Sequence, residues 1–194
     1  MVNIREEKAS DAAAREALLD AAYGPARFAK TSERLREGRE PARGLSLVAV
    51  DCGQIVGTVR LWHVTAGAAQ PALLLGPLAV HPDHRCRGVG SALVCRAIAR
   101  ARLAGHGVIL LIGDAAYYGR FGFTAGQTGG LRMPGRFESA RLLALELRPG
   151  ALRGACGLIG ASGEPQPKPD LNALIAAKGV GRRAHARKLE KRAA

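Results

Sequence analysis

A chain of 194 residues has room for one domain with a full core and an appended tail, but not for two full domains. Hydrophobic residues make up 47% of it, yet no apolar run approaches the ~20 residues of a membrane-crossing helix, which excludes an integral helical membrane protein. The formal net charge is +13, with nine Lys+Arg against three Asp+Glu after residue 150; such a field favours anionic ligands without choosing between a phosphate-bearing cofactor, an acidic substrate and nucleic acid.

The opening residues, MVNIREEKASD, lack a basic segment followed by an apolar core, so no secretory signal is expected and the protein is read as cytoplasmic. Cys52, Cys86, Cys95 and Cys156 have neither CxxC spacing nor the density of a disulfide scaffold, and read as reduced thiols.

In chain order, VNIREE alternates apolar and polar residues as a half-buried edge strand does. SDAAAREALLDAAYG follows with helix formers behind Ser10 or Asp11 as N-cap and Gly24 as the stop. RFAKTSERLREGREP reads as a second, charged helix or a mobile loop closed by Pro41. LSLVAVDCGQIVGTVRLWHVT gives two strands joined at Asp51 to Gln54, with Gly53 available for a positive φ.

QPALLLGPLAV continues as a third strand, buried on both faces by its near-continuous apolar run. Gly76 and Pro77 inside it predict a bulge or a splay, because proline cannot donate to a ladder. Gly90 to Leu103 has helical spacing, with Leu93, Ala97 and Ala101 on one stripe. VILLIG is a short buried strand, DAAYYGRFGF a single helical turn, and Ala140 to Leu147 a last strand. Past Pro149 the composition shifts to Gly, Ala, Pro and base, so a domain at 1–148 and a basic extension at 149–194 are expected.

Between the third strand and the long helix lies VHPDHRCRGVGSAL. Strand, loop rich in glycine and arginine, then helix is an arrangement that holds a phosphate: the first amides of a helix have no partner of their own and the dipole favours an anion. A Walker A loop needs a Lys-Ser/Thr pair after its second glycine, and Gly90 is followed by Ser91, Ala92 and Leu93. A dinucleotide fingerprint lacks its third glycine, where Leu93 stands. His81, Asp83, His84 and Cys86 could ligate a metal, but no second ligand set stands at matching spacing and none is expected.

The R-x-x-G-x-G of Arg85 to Gly90 after LAVHP resembles the acetyl-CoA signature of the GNAT superfamily of N-acetyltransferases. YGRFGF, Tyr118 to Phe123, resembles the Y-x-x-x-G-F that closes the same domain. GDAAYYGRFGF and LLLGPLAVHP together are similar to the bacterial YhbS-like branch. The resemblance runs over roughly residues 2 to 148 and is sharpest from Leu73 to Phe123.

It implies an α/β (α+β) fold: a mixed, mainly antiparallel sheet flanked by helices and splayed at the cofactor strand. Acetyl-CoA would be the cosubstrate, its pantetheine arm on main-chain groups of Leu78, Ala79 and Val80. Its pyrophosphate would lie on the amides of Arg87, Gly88, Val89, Gly90 and Ser91, with Arg85 adding charge. Direct attack of a primary amine on the thioester would follow, with an N–H near Val80 for the oxyanion and Tyr118 protonating the leaving thiolate; Tyr117 is the fallback. A general base is not visible, and Asp114, which could equally cap a helical turn, is the first candidate, with His63 on the hairpin the other.

The acceptor, a small molecule or a protein amine, is not readable. Its pocket is expected in RFAKTSERLREGREP and QTGGLRMPGRFESA. The competing reading is a non-catalytic CoA-sensing module whose basic tail binds nucleic acid or the ribosome, although such tails are more often solvated ends. A homodimer is compatible with either reading, and no membrane partner is expected.

Overall fold

Strands whose apolar residues run without a break bury both faces, and here two such strands lie at the centre of the sheet. The structure, a computed structural model, describes residues 1–167. In chain order its elements are β1 (Asn3–Glu6), α1 (Ala12–Tyr23), β2 (Ser46–Asp51), β3 (Gln54–Ala66), β4 (Gln70–Val80), α2 (Val89–Leu103), β5 (Val108–Ile112), α3 (Ala115–Gly119), β6 (Leu131–Arg132), β7 (Leu142–Glu146), β8 (Gly157–Leu158) and β9 (Gly160–Ala161). The main sheet has the order β1-β2-β3-β4-β5-β7, with β9 added to β3; β6 and β8 form a separate pair. Within the main sheet only β4 and β5 run parallel. That is the mixed, mainly antiparallel sheet the resemblance implied.

On β4, Leu73 and Leu75 face the core shared with Val89, Leu93, Val94, Ala97 and Ala101 of α2. Ala72 and Leu74 face a second core with Trp62, Val108 and Leu110. Both faces are dry, which is why the run carries no polar alternation. The hairpin turn places Cys52 at φ 48° as well as Gly53 at φ 80°, so both central residues are left-handed, as a type I′ turn requires. The segment after Gly24 forms two 3-10 turns, Pro25–Ala29 and Glu33–Leu35, rather than a second α-helix.

The domain boundary expected at 148 falls later. Leu152 and Ile159 are buried in the second core, and β9 pairs Gly160 and Ala161 with Thr65 and Val64, so this stretch covers a sheet face that would otherwise be wet. The compact unit runs from Met1 to Glu164. The basic end of the expected extension, residues 168–194, lies outside the described residues. Among the described residues no helix is long and apolar enough to cross a membrane.

Gly57 on β3 sets how closely α2 approaches the sheet. A Cβ there would stand 2.9 Å from Leu93 Cδ1 and 3.1 Å from Val89 Cγ1, both on fully packed side chains. Gly57→Val should therefore lower stability by about 1–3 kcal/mol through overpacking, read as a lower urea midpoint with an unchanged m-value.

Candidate active site

The ladder between β4 and β5 holds only at Leu73↔Ile109 and Leu74↔Leu110. Beyond Leu74 the strands part. On the other side of β4 the register to β3 slips: Val59 opposes Leu78 and Leu61 opposes Leu75, so Gly76 and Pro77 together face Arg60 alone. This is a bulge, and the sequence's suspect pair sits in it. Gly76 has φ 133°, a conformation side chains rarely adopt, and its carbonyl accepts from the Trp62 indole at 2.6 Å.

Alternation along an antiparallel pair decides which groups the splay leaves available. The amide of His81 donates to the Val56 carbonyl at 2.8 Å, so His81 and Ala79 turn their main-chain groups toward β3, while Leu78 and Val80 turn theirs away. Two contacts agree. The Tyr23 hydroxyl donates to the Leu78 carbonyl, and Arg85 Nε donates to the Val80 carbonyl at 3.4 Å. Ala79, expected beside Leu78 and Val80 in the cofactor strand, has its main chain committed to Thr58 and its side chain buried against Leu18 and Leu19 of α1.

Past Val80 the chain makes a short 3-10 turn at Pro82–His84 and reaches α2 through Arg85, Cys86 (φ 59°), Arg87 and Gly88 (φ 78°). The amides of Arg87, Gly88, Val89, Gly90 and Ser91 have no hydrogen-bond acceptor among the described residues; the first helical bond is Ala92 N–H to the Gly88 carbonyl, 2.9 Å. Arg85 and Arg87 are exposed beside them. Arg120 joins these two: its guanidinium donates to Ser91 Oγ at 3.3 Å and lies 4.5 Å over the Tyr117 ring. Sequence reasoning missed Arg120, although it stands inside the YGRFGF motif. Of the loop side chains that could ligate a metal, His84 contacts Asp51 at 3.3 Å and His81 accepts from the Asp83 amide.

The adjacent tyrosines separate by position. Tyr117 places its hydroxyl at the start of α2, where a Cβ on Gly90 would be 3.0 Å from it. Tyr118 lines a cavity of about 500 Å³ formed where β4 and β5 part, together with Leu75, Gly76, Leu78, Ile112 and Tyr23. Burial holds the Tyr118 phenol well above its ordinary pKa, with the neighbouring Tyr23 and Tyr117 adding to the shift. At neutral pH the phenol keeps its proton.

Asp114 is at the surface, caps α3 by accepting from the Tyr117 amide at 2.8 Å, and is not part of the cavity wall. Its geometry is that of a cap, the other role its position allowed. His63 likewise faces elsewhere, with its ring 5.4 Å from that of His106. Apart from Leu74 and Pro77, the remaining cavity wall comes from residues 27–36 and 136–141, all but Arg141 within the segments expected to form the acceptor pocket. Thr31 Oγ1 donates to the Arg136 carbonyl at 2.6 Å and Arg34 to the Pro134 carbonyl at 2.7 Å, so these loops are tied together.

A splayed parallel pair feeding a phosphate loop can be compared with known proteins. A family model described as acetyltransferase (GNAT) domain matches residues 42–125. The uncharacterized N-acetyltransferase YhbS of Escherichia coli is 31% identical over 158 residues, which span 80% of this chain and 93% of that protein. This chain belongs to the GNAT N-acetyltransferase family.

YjhQ, another uncharacterized N-acetyltransferase of Escherichia coli, is 34% identical over 105 residues, with 53% of this chain and 58% of YjhQ covered. The crystal structure of Escherichia coli YhbS in complex with CoA matches with a TM-score of 0.71 and 30% identity, over 83% of this chain and 89% of that one. A GNAT family acetyltransferase from Brucella melitensis in complex with acetyl-CoA matches with a TM-score of 0.58 and 27% identity, over 88% and 94%. The GNAT fold thus has its two landmarks here, the parted strands and the loop before α2.

One glycine makes room for the Tyr118 ring. A Cβ on Gly113 would stand 2.3 Å from Tyr118 Cε2 and 2.6 Å from Cδ2. Gly113→Ala should drive the ring out of its position in the cavity, changing the near-ultraviolet circular dichroism and lowering turnover of any acceptor at least tenfold while the far-ultraviolet spectrum stays the same.

Proposed function

We propose that this protein transfers an acetyl group from acetyl-CoA directly to a primary amine. The observation that carries the reading is the opening between β4 and β5 beyond Leu74, which leaves the main chain of Leu78 and Val80 turned away from β3 and sets Leu78 in the wall of a cavity that the protonated Tyr118 phenol also lines. Family membership and the CoA- and acetyl-CoA-bound relatives support it.

In this reading the pyrophosphate lies on the amides of Arg87 to Ser91, beside Arg85, Arg87 and Arg120. The pantetheine arm extends the sheet along β4, as a missing strand would, pairing at the Val80 N–H because Arg85 holds the Val80 carbonyl and Tyr23 that of Leu78. The thioester then lies at the mouth of the cavity. The Leu78 N–H, on the same edge and in the cavity wall, stabilises the oxyanion as the amine adds to the carbonyl carbon. The C–S bond then breaks, Tyr118 gives its proton to the departing sulfur, the new amide nitrogen loses its extra proton to solvent, and the Tyr118 phenolate takes a proton back from solvent.

The four cysteines are all unpaired and exposed, which suits a reducing compartment and a cytoplasmic location.

Calorimetric titration with acetyl-CoA tests the cofactor site: the wild type binds, and Gly88→Trp does not, because an indole at φ 78° on the loop blocks the pyrophosphate. Absence of binding by the folded wild type would remove the acetyltransferase reading. Tyr118→Phe tests the chemistry. It should lower kcat by about 10²-fold, as loss of a general acid does, while the affinity for acetyl-CoA changes less than twofold; an unchanged kcat would assign the proton to another group.

A further inference from the structure

The charges on the cavity wall are lopsided. Arg27, Lys30, Arg36, Arg136 and Arg141 line it, against Glu33 and Glu138. Pairing takes up both acids: Glu33 Oε2 lies 2.8 Å from Arg36 Nη2, and Glu138 lies 4.0 Å from Arg141. Arg27 is held outside by Glu16 and Asp20. Lys30, Arg36, Arg136 and Arg141 then stand against two carboxylates, an excess of two positive charges.

Arg36 is the deepest of them. Its side chain is 7% exposed; Nε and Nη2 are held by the Ser32 carbonyl and hydroxyl at 3.1 Å each, while Nη1 has no acceptor among the described residues and lies near the bulge glycine, 3.9 Å from where a Cβ on Gly76 would stand. Lys30 Nζ sits 4.2 Å over the Tyr23 ring, and Arg136 has no acid partner among the described residues. Burial, and after it the nearby Arg36 and Arg141, push the Lys30 amine below its ordinary pKa.

This charge is not there for the phosphates of the cofactor. None of residues 85–91 lines the cavity, and the loop has its own arginines. The anion the cavity is built for must arrive with the acceptor. A polyamine or an aminoglycoside would bring more positive charge into a wall whose acids are already paired, and like charges brought together in a half-dry site repel. The volume of about 500 Å³ is that of a small-molecule site, and the two tied loops cover it.

We infer that the acceptor is a small amine carrying its own carboxylate, an amino acid or a close derivative, with the carboxylate on Arg36 Nη1, Lys30 and Arg136. A guanidinium already oriented by Ser32 and Glu33 gives a carboxylate a fixed donor, and the two exposed cations complete the charge. The amine is then directed toward Leu78 and Tyr118. This rests on the acetyltransferase reading and narrows its substrate class.

The test is free-thiol release from acetyl-CoA with matched acceptors: α- and ω-amino acids, their carboxamides, and spermidine. In at least one pair the acid should exceed its amide at least tenfold in kcat/KM, and Lys30→Gln together with Arg136→Gln should raise KM for the acid and bring the acid-to-amide ratio toward one. Amides or spermidine turned over as well as the acids would overturn the inference, as would a protein that binds acetyl-CoA by calorimetry yet acetylates none of the acids. Failure to bind acetyl-CoA is a separate result, and removes the reading beneath it. Acids preferred but with a ratio unchanged in the double variant would overturn the assignment of the carboxylate to this wall.

Discussion

The site exists because a ladder stops. A strand in the middle of a sheet normally satisfies both edges of its main chain, and leaving one edge unpaired among apolar side chains is costly. β4 does so from Leu75 onward, since β5 pairs with it only at Leu73 and Leu74, while the other edge of β5 stays paired with β7 as far as Ile112. The structure meets the cost with side chains: the Tyr23 hydroxyl takes the Leu78 carbonyl, and Arg85 takes that of Val80. What remains is an edge ready to be extended by another extended amide-bearing chain, which is what a pantetheine arm is. Everything downstream follows the direction β4 is given at its bulge, because that direction aims the Arg85 to Ser91 loop and the first turn of α2.

The rest of the fold keeps that gap from closing. α2 is pressed onto the sheet over Gly57, with Leu93 and Ala97 fully buried beneath it, so the helix start cannot drift from the strand that feeds it. α1 packs Leu18 and Leu19 on Ala79 and ends at Tyr23, which brings one tyrosine to the edge of β4. On the far side, Gly113 lets Tyr118 lie against β5, and the ring fills space that a β4–β5 ladder would otherwise claim. Two tyrosines on unrelated elements thus face each other across the opening.

Much of this was legible in the sequence, and the parts that were not share a reason. Strand and helix periods are local, so VILLIG, ALLLGPLAV and the stripe through Leu93 and Ala97 could be read directly, as could the disturbance at Gly76-Pro77. Which of three successive main-chain residues faces the ligand depends on register parity against β3, and that separated Ala79 from Leu78 and Val80. Asp114 had two roles open to it, and only coordinates show the Tyr117 amide in its grasp. Arg120 and Tyr23 enter the site through contacts with residues far away in the chain, for which a single sequence carries no signal. The boundary at 148 failed for a compositional reason: Gly-rich segments can still place one Leu and one Ile in a core, as Leu152 and Ile159 do.

Net charge, too, acquires meaning only through position. Exposed arginines such as Arg85 and Arg87 sit in high dielectric, where salt screens them and their pull on a phosphate is modest per contact. Arg36, nearly buried, is different: a guanidinium stays protonated even when burial lowers its pKa, so its charge persists where screening is weak. Glu33 offsets part of that charge and fixes the orientation, but one nitrogen is left facing the cavity. A poorly screened donor in the cavity wall discriminates between ligands more strongly than the many cations outside, because a mismatched ligand would have to leave it without a partner. The basic composition of the chain says that anions are favoured; the placement of one arginine says where the choice is made.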